Sequence, residues 1–261
     1  MIDDRALQQL ERQIDSWRVR VKDSDERKTY DEVFDKQTLL LLAKLMSDGV
    51  LRSVDYPVST GKEGNVFHGT DPDGSALALK IYRVSNATFR NIANYIIGDS
   101  RFRNVRRSHK EIIYAWARKE YKNLLGMAKL GARVPRAIEQ RNNVLAMSYI
   151  GDETRPAPLL REVRLDDPAA GFEDLVETMT AIRKAGLVHG DLSEYNVLVW
   201  DGHLWAIDCG QAVPLAHGHA EEWFQRDCAN VSRYFRRLGV KVDGETLAKR
   251  VREGAAAITS E

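Results

Sequence analysis

Eight residues, His189-Gly190-Asp191-Leu192-Ser193-Glu194-Tyr195-Asn196, constrain this chain more than any other stretch, because the run of residues directly after them fixes where their side chains can go. Asn196 runs directly into the apolar Val197-Leu198-Val199-Trp200. Asp201-Gly202 then separates that run from Leu204-Trp205-Ala206-Ile207, which ends on Asp208. An Asp-Gly pair between two short apolar runs predicts a hairpin, since the tight turn asks for residues that accept positive φ. Such a hairpin carries Asp191, Asn196 and Asp208 to one end. Phosphoryl transfer needs a carboxylate near an attacking hydroxyl and hard oxygen ligands for a divalent cation, and these three residues supply them in a usable order. Taken singly, Asp191 and Asp208 also read as turn aspartates and Asn196 as a turn-forming amide. That reading explains each residue and not the set.

At 261 residues the chain can bury one large core or two lobes without a disulfide or a structural metal. Cys209 and Cys228 are its only cysteines, with no zinc-ligand spacing, so a reducing compartment fits, although the two could also pair, and cysteine nucleophile chemistry is not expected. Met1-Ile2-Asp3-Asp4 opens no apolar signal segment, and Leu39-Leu40-Leu41-Leu42 lies in a run too short to span lipid; a soluble, cytoplasmic and mainly monomeric protein is expected. A formal charge of +1 does not mark a nucleic-acid binder. Locally, Arg101, Arg103, Arg106, Arg107, His109 and Lys110 form one basic cluster, and Arg226, Arg233, Arg236 and Arg237 recur in another. Each is either a phosphate-contacting surface or a solvated face.

Three domains are expected. Residues 1–49 form a helical extension, beginning as an exposed helix or arm over the first 24 residues and continuing as a helix at 31–47, whose Phe34, Leu41 and Leu45 share a face broadened by Leu42 and Met46. Residues 50–151 form a mainly sheet-built first lobe: strands around a glycine loop, a mobile insertion at 83–108, a helix from Glu111 ending near Gly131, and a hairpin from Val134–Glu139 and Val144–Tyr149. Residues 152–261 form a second lobe with a helix from Gly171 to Ala185, the Asp191–Asp208 hairpin, and helices around 219–238 and 244–257.

Ser59-Thr60-Gly61-Lys62-Glu63-Gly64-Asn65-Val66 can bend closely over phosphates, with backbone N–H groups and Lys62 addressing the oxygens, although an ordinary hairpin turn fits the same residues. It precedes Ala76-Leu77-Ala78-Leu79-Lys80-Ile81-Tyr82, an apolar strand in which the Lys80 ammonium needs a partner or a wet cleft. Glu120 lies seven positions from Ile113 and four from both Trp116 and Leu124, so it rides the apolar face of its helix; Glu111 faces nearly the opposite way at about 100° per residue. Glu120 is therefore the candidate to orient Lys80. Met147-Ser148-Tyr149-Ile150 suits an adenine, with Met147 lining the slot and the next three residues offering backbone groups. His189 reads as a packed support for its loop. Ser108, beside Arg106 and Arg107, is either a self-phosphorylation site or a helix N-cap.

The glycine segment, Leu79-Lys80-Ile81-Tyr82, His189 to Asn196, and Ile207-Asp208 together resemble the RIO family of atypical serine/threonine protein kinases, above all its first subfamily in archaeal form. The resemblance implies an α+β, compact bilobal protein-kinase-like fold with a reduced activation and peptide-binding region. It implies ATP with Mg2+ or Mn2+ as cofactor, Lys80 and Glu120 as the nucleotide-orienting pair, Asp191 as the catalytic residue, and Asn196 and Asp208 as metal ligands. Too few residues precede the glycine loop for the winged-helix module of the second subfamily. Gly64 stands where the first subfamily often has alanine, and Cys209-Gly210-Gln211 departs from its usual residues. Implied function is Mg-ATP-dependent serine phosphorylation, an ATPase switch, or both, in maturation of the small ribosomal subunit, whose precursor RNA or proteins would be the partner and with Asp208 as a candidate phosphoaspartate. A nucleotide-regulated pre-ribosomal RNA-binding scaffold and a small-molecule phosphotransferase are the alternatives.

Overall fold

The computed structural model describes residues 7–8, 10–14, 33–61, 64–84, 95–96, 99–102 and 108–257. Most of the arm expected at 1–24 and of the insertion expected at 83–108 lies outside the described residues. Two compact units emerge: the described residues within Met1–Ile92, Val105–Arg118 and Ala137–Tyr149, and those within Ala93–Asn104, Lys119–Arg136 and Ile150–Glu261. Helix α2 (His109–Lys129) contributes its first half to one and the remainder to the other.

The first unit is an antiparallel sheet of β1 (Ser53–Thr60), β2 (Gly64–Thr70), β3 (Ala76–Tyr82), β4 (Ala137–Arg141) and β5 (Val144–Ser148), in the order β1-β2-β3-β5-β4. Helix α1 (Lys36–Ser47) starts at Asp35, whose carboxylate accepts the Thr38 N–H at 2.7 Å, and stops where Gly49 takes φ 73°. Its buried stripe is Thr38, Leu42, Ala43 and Leu45, whereas Leu41 and Met46 are only partly buried. The apolar face is therefore rotated from the one expected through Leu41. Phe34 lies before the helix and is still buried, its ring 4.8 Å from Phe67. Leu10 and Ile14, one helical turn apart, are buried in the same core, so this part of the N-terminal segment is not the exposed arm expected.

Strand alternation sorts the sheet into two faces. Phe67, Leu79 and Ala146 are register partners and belong to that core. The opposite face takes Val66, Lys80 and Leu145, with His68, Ala78 and Met147 beside them. The strand expected from Val134 begins only at Ala137, since Pro135 brings no N–H to a ladder and holds Val134 off it.

In the second unit α3 (Pro168–Lys184), α4 (Ala220–Arg237) and α5 (Gly244–Ala256) pack around Phe172, Leu175, Phe235, Leu247 and Val251. Helix α3 begins three residues before the expected Gly171 because Asp167 caps the N–H groups of Ala169 and Ala170, both at 3.0 Å, with Pro168 in the first turn. The short strands β6 (Leu187–Val188) and β9 (Val213–Pro214) pair with each other, and β7 (Val197–Trp200) pairs with β8 (His203–Ala206). Asp174 of α3 anchors that hairpin by accepting from Leu204 N–H at 2.7 Å and bonding His203 Nδ1 at 2.9 Å. Among the described residues no helix is long and apolar enough to cross a membrane.

Candidate active site

The turn read from Asp201-Gly202 forms as the sequence dictates: Trp200 faces His203, and the two turn residues take φ 50° and 73°. At the open end of the hairpin Ile207 N–H donates to Asn196 O at 3.0 Å, so Asn196 and Asp208 leave the ladder side by side. Asn196 Nδ2 turns back to Asp191, donating to its backbone oxygen at 2.8 Å and its Oδ2 at 3.2 Å. Any contact of Asn196 with a cation would be through its amide oxygen, since the NH2 group only donates. The three residues picked out from spacing are thus gathered in one place.

Asp191 is half-buried, and its carboxyl is held above the ordinary range, first by burial and then by the negative charge of Asp208, against the pull of Arg226 and the Asn196 amide. The charge of Asp208 beside Asp191, with an amide oxygen next to them, forms a donor set whose repulsion a hard dication would relieve. Among the described residues no group of three or more His, Cys, Asp or Glu could hold a metal.

On the first unit, Ser59 of β1 faces Val66 of β2 across the strand pair, and Gly61 N–H donates to Gly64 O at 2.9 Å. Lys62 and Glu63 lie outside the described residues. Gly64 is held against β3 so closely that a Cβ would stand 2.4 Å from Ile81 O. Lys80 is 9% exposed, its ammonium 5.3 Å from the Tyr82 ring centroid, on the sheet face that also carries Val66 and Met147. Tyr149 N–H donates to Ala76 O at 3.3 Å, and in the second unit Ile150 O accepts from Ala157 N–H at 3.0 Å. These two backbone groups, expected to face adenine, are committed within the chain, which narrows the offer made by Ser148, Tyr149 and Ile150. Glu120 belongs to the second unit and is 1% exposed, while Glu111 is exposed.

A family model described as the RIO domain matches residues 65–247. The chain belongs to the RIO family of atypical serine/threonine kinases. The RIO-type serine/threonine-protein kinase Rio1 of Haloferax volcanii is 43% identical over 244 residues, which are 94% of this chain and 84% of that protein. Serine/threonine-protein kinase RIO1 of Caenorhabditis elegans is 41% identical over 87% of this chain and its human counterpart 36% over 85%; the matches span 46% and 40% of those longer proteins. Among solved structures, the Rio2 kinase of Chaetomium thermophilum superposes with a TM-score of 0.63 at 26% identity, covering 85% of this chain and 72% of that one. The ADP/Mg2+-phosphoaspartate complex of the same kinase superposes at 0.64 with 23% identity, covering 86% and 67%. The fold is the kinase-like α/β fold.

Several residues that hold this RIO site together escaped the sequence reading. Asp227 of α4 accepts the N–H groups of Gly190 and Leu192, both at 2.8 Å, while the neighbouring Arg226 donates to Gly190 O. Gly190 sits at φ 82°, where glycine is the least strained choice. Burial outweighs the two N–H bonds and pushes the Asp227 carboxyl up to about 7. Gln211 donates to Asp191 Oδ2 at 3.2 Å. His189 is buried, with Nε2 3.0 Å from Ile207 O and Nδ1 accepting the Asp191 N–H at 3.4 Å, which fits the supporting role.

The basic clusters fare differently. Arg101 pairs with the buried Asp99 at 2.7 Å, and Arg237 is paired with Glu194 at 2.6 Å. Arg103, Arg106 and Arg107 lie outside the described residues. Ser108 accepts the Glu111 N–H at 3.3 Å, as an N-cap does. Cys209 and Cys228 are buried free thiols, and burial pushes that of Cys228 up to about 12, far from nucleophile chemistry.

Proposed function

We propose that this RIO-family kinase transfers the γ-phosphoryl group of ATP, with Asp191 orienting the acceptor and receiving its proton, and Asn196 and Asp208 holding Mg2+. The reading is carried by the hairpin end, where an amide that bonds Asp191 stands beside Asp208. A raised carboxyl is a better proton acceptor than an ordinary exposed one, provided the working pH stays above its pKa. Bound Mg2+ would neutralise charge on the transferring phosphate. Lys80 would add a positive charge for the phosphates, the family resemblance assigns Glu120 to orient it, backbone at Gly61 and Gly64 would approach the nucleotide, and Met147 would line the adenine. His189 and Asp227 fix the loop so that Asp191 need not be ordered during reaction.

The acceptor is a serine hydroxyl, whose proton Asp191 takes, or the carboxylate of Asp208 itself, which attacks as the anion and has no proton to lose, and the partner is a precursor of the small ribosomal subunit. Radiolabelled ATP turnover with and without that precursor separates the cases. An acid-stable, hydroxylamine-resistant phosphoserine marks a protein kinase. A hydroxylamine-labile label on Asp208 with released phosphate marks an ATPase cycle. Turnover that neither labels protein nor responds to the precursor would contradict the assigned role.

A further inference from the structure

Lys119 and Asn123 are fully buried polar residues one turn apart on α2, neither of which phosphate chemistry requires. Burying an ammonium is costly unless it is well bonded. Lys119 Nζ donates to Gly210 O at 2.7 Å and Ala212 O at 2.5 Å, and Asn123 Nδ2 donates to Cys209 O at 2.8 Å and Ala212 O at 2.9 Å. Together they grip three of the four carbonyls directly after Asp208. Asp208 itself takes φ 59° and ψ 54°, a left-handed conformation that a residue with a side chain keeps only when its surroundings over-determine it. The polar line continues outward: Asn123 Oδ1 accepts from Arg101 Nη1 at 2.9 Å, and Arg101 forks onto Asp99, whose side chain is wholly buried. All of these residues belong to the second unit.

We infer that Lys119 and Asn123 are positioning residues that set Asp208 for its cation through the backbone of residues 209–212, and that Arg101 ties the segment Asp99–Phe102 to that setting. The inference rests on the proposed role of Asp208, and the experiment separates the two. A fluorescent, nonhydrolysable ATP analogue is titrated into the full chain with and without Mg2+. If Mg2+ does not tighten binding to the wild type, the metal role of Asp208 fails and this inference with it.

Given tightening in the wild type, Lys119→Met and Asn123→Leu are expected to weaken the Mg2+ effect by roughly tenfold, as loss of a group supporting a metal ligand does. Their Mg2+-free affinity should stay within about twofold of wild type, and in an Asp208→Asn background, where the Mg2+ effect is already gone, they should cause no further loss, because coupled residues are non-additive. A merely structural role would lower thermal stability and leave the Mg2+ effect alone. Wild-type Mg2+ dependence in a folded variant, or losses that add to those of Asp208→Asn, would overturn the inference. If the buried substitutions do not fold, Arg101→Gln at a side chain 25% exposed must show the same selective loss, and an unchanged Mg2+ dependence there would overturn it.

Discussion

Asp191 and Asp227 are carboxyls both held above their ordinary range, and the different causes give them different work. Asp191 feels burial and the charge of Asp208, so its ionisation is tuned by the group beside it. The acid limb of kcat/KM should therefore lie above that of an exposed aspartate. Arg226→Gln, which removes a charge favouring ionisation, should move that limb to still higher pH in a pH–rate profile; an unmoved limb counts against Asp191 as the proton acceptor. Asp227 is raised chiefly by burial, from 3.8 to about 7. An acid whose pKa rises on folding contributes most below its unfolded value and loses that contribution as pH climbs through its folded one. Thermal unfolding of wild type against Asp227→Asn should thus show the wild type losing ground between about pH 4 and about pH 7, and a constant difference would refute the assignment. Asp227 was legible in principle. It falls on the buried stripe of Trp223, Phe224, Cys228 and Val231, as Glu120 falls with Trp116 and Leu124. What no spacing shows is that its partners are backbone N–H groups some thirty-five residues earlier. The same holds for Lys119 and Asn123, whose partners are carbonyls.

At the scale of elements, local chemistry was readable wherever a turn or cap is written in side chains. Asp201-Gly202 marked a turn that the chain adopts, and Asp167-Pro168 would have placed the start of α3 had it been read as cap and first turn. Strands β6 and β9 are two residues each and have no periodicity to read. Nor could the sequence show that α3 holds the β7–β8 hairpin through Asp174. That side chain serves Leu204 N–H, His203 and, at 3.1 Å, Arg133. Asp174→Ala should cost about 1–3 kcal/mol in a denaturant titration, because it strands a backbone donor as well as losing bonds. A cost under about 0.5 kcal/mol would mean that water replaces the carboxylate without penalty.

On the scale of the whole molecule, the residues expected to address a nucleotide are divided between two units: Lys80 and Met147 in the first, Glu120, Asp191, Asn196 and Asp208 in the second. The contacts divide the chain between Tyr149 and Ile150, and the sequence placed a lobe boundary after Gly151. It did not reveal the boundary inside α2 between Arg118 and Lys119, because an unbroken helical pattern crosses it. The partner reading is tested by comparing binding to the small-subunit precursor, the mature subunit and an unrelated structured RNA across salt. Preference for the precursor, changing between ADP and a nonhydrolysable ATP analogue, is expected; equal affinity throughout would remove both specificity and switching. The central claim, that Asp191 and Asp208 perform separate tasks in one Mg-ATP site, is met most directly by measuring nucleotide binding and phosphate transfer together in wild type, Asp191→Ala and Asp208→Ala. Asp191→Ala should bind nucleotide as the wild type does and lose turnover, and Asp208→Ala should lose the Mg2+ dependence of binding along with turnover. Wild-type turnover in both variants would contradict the account.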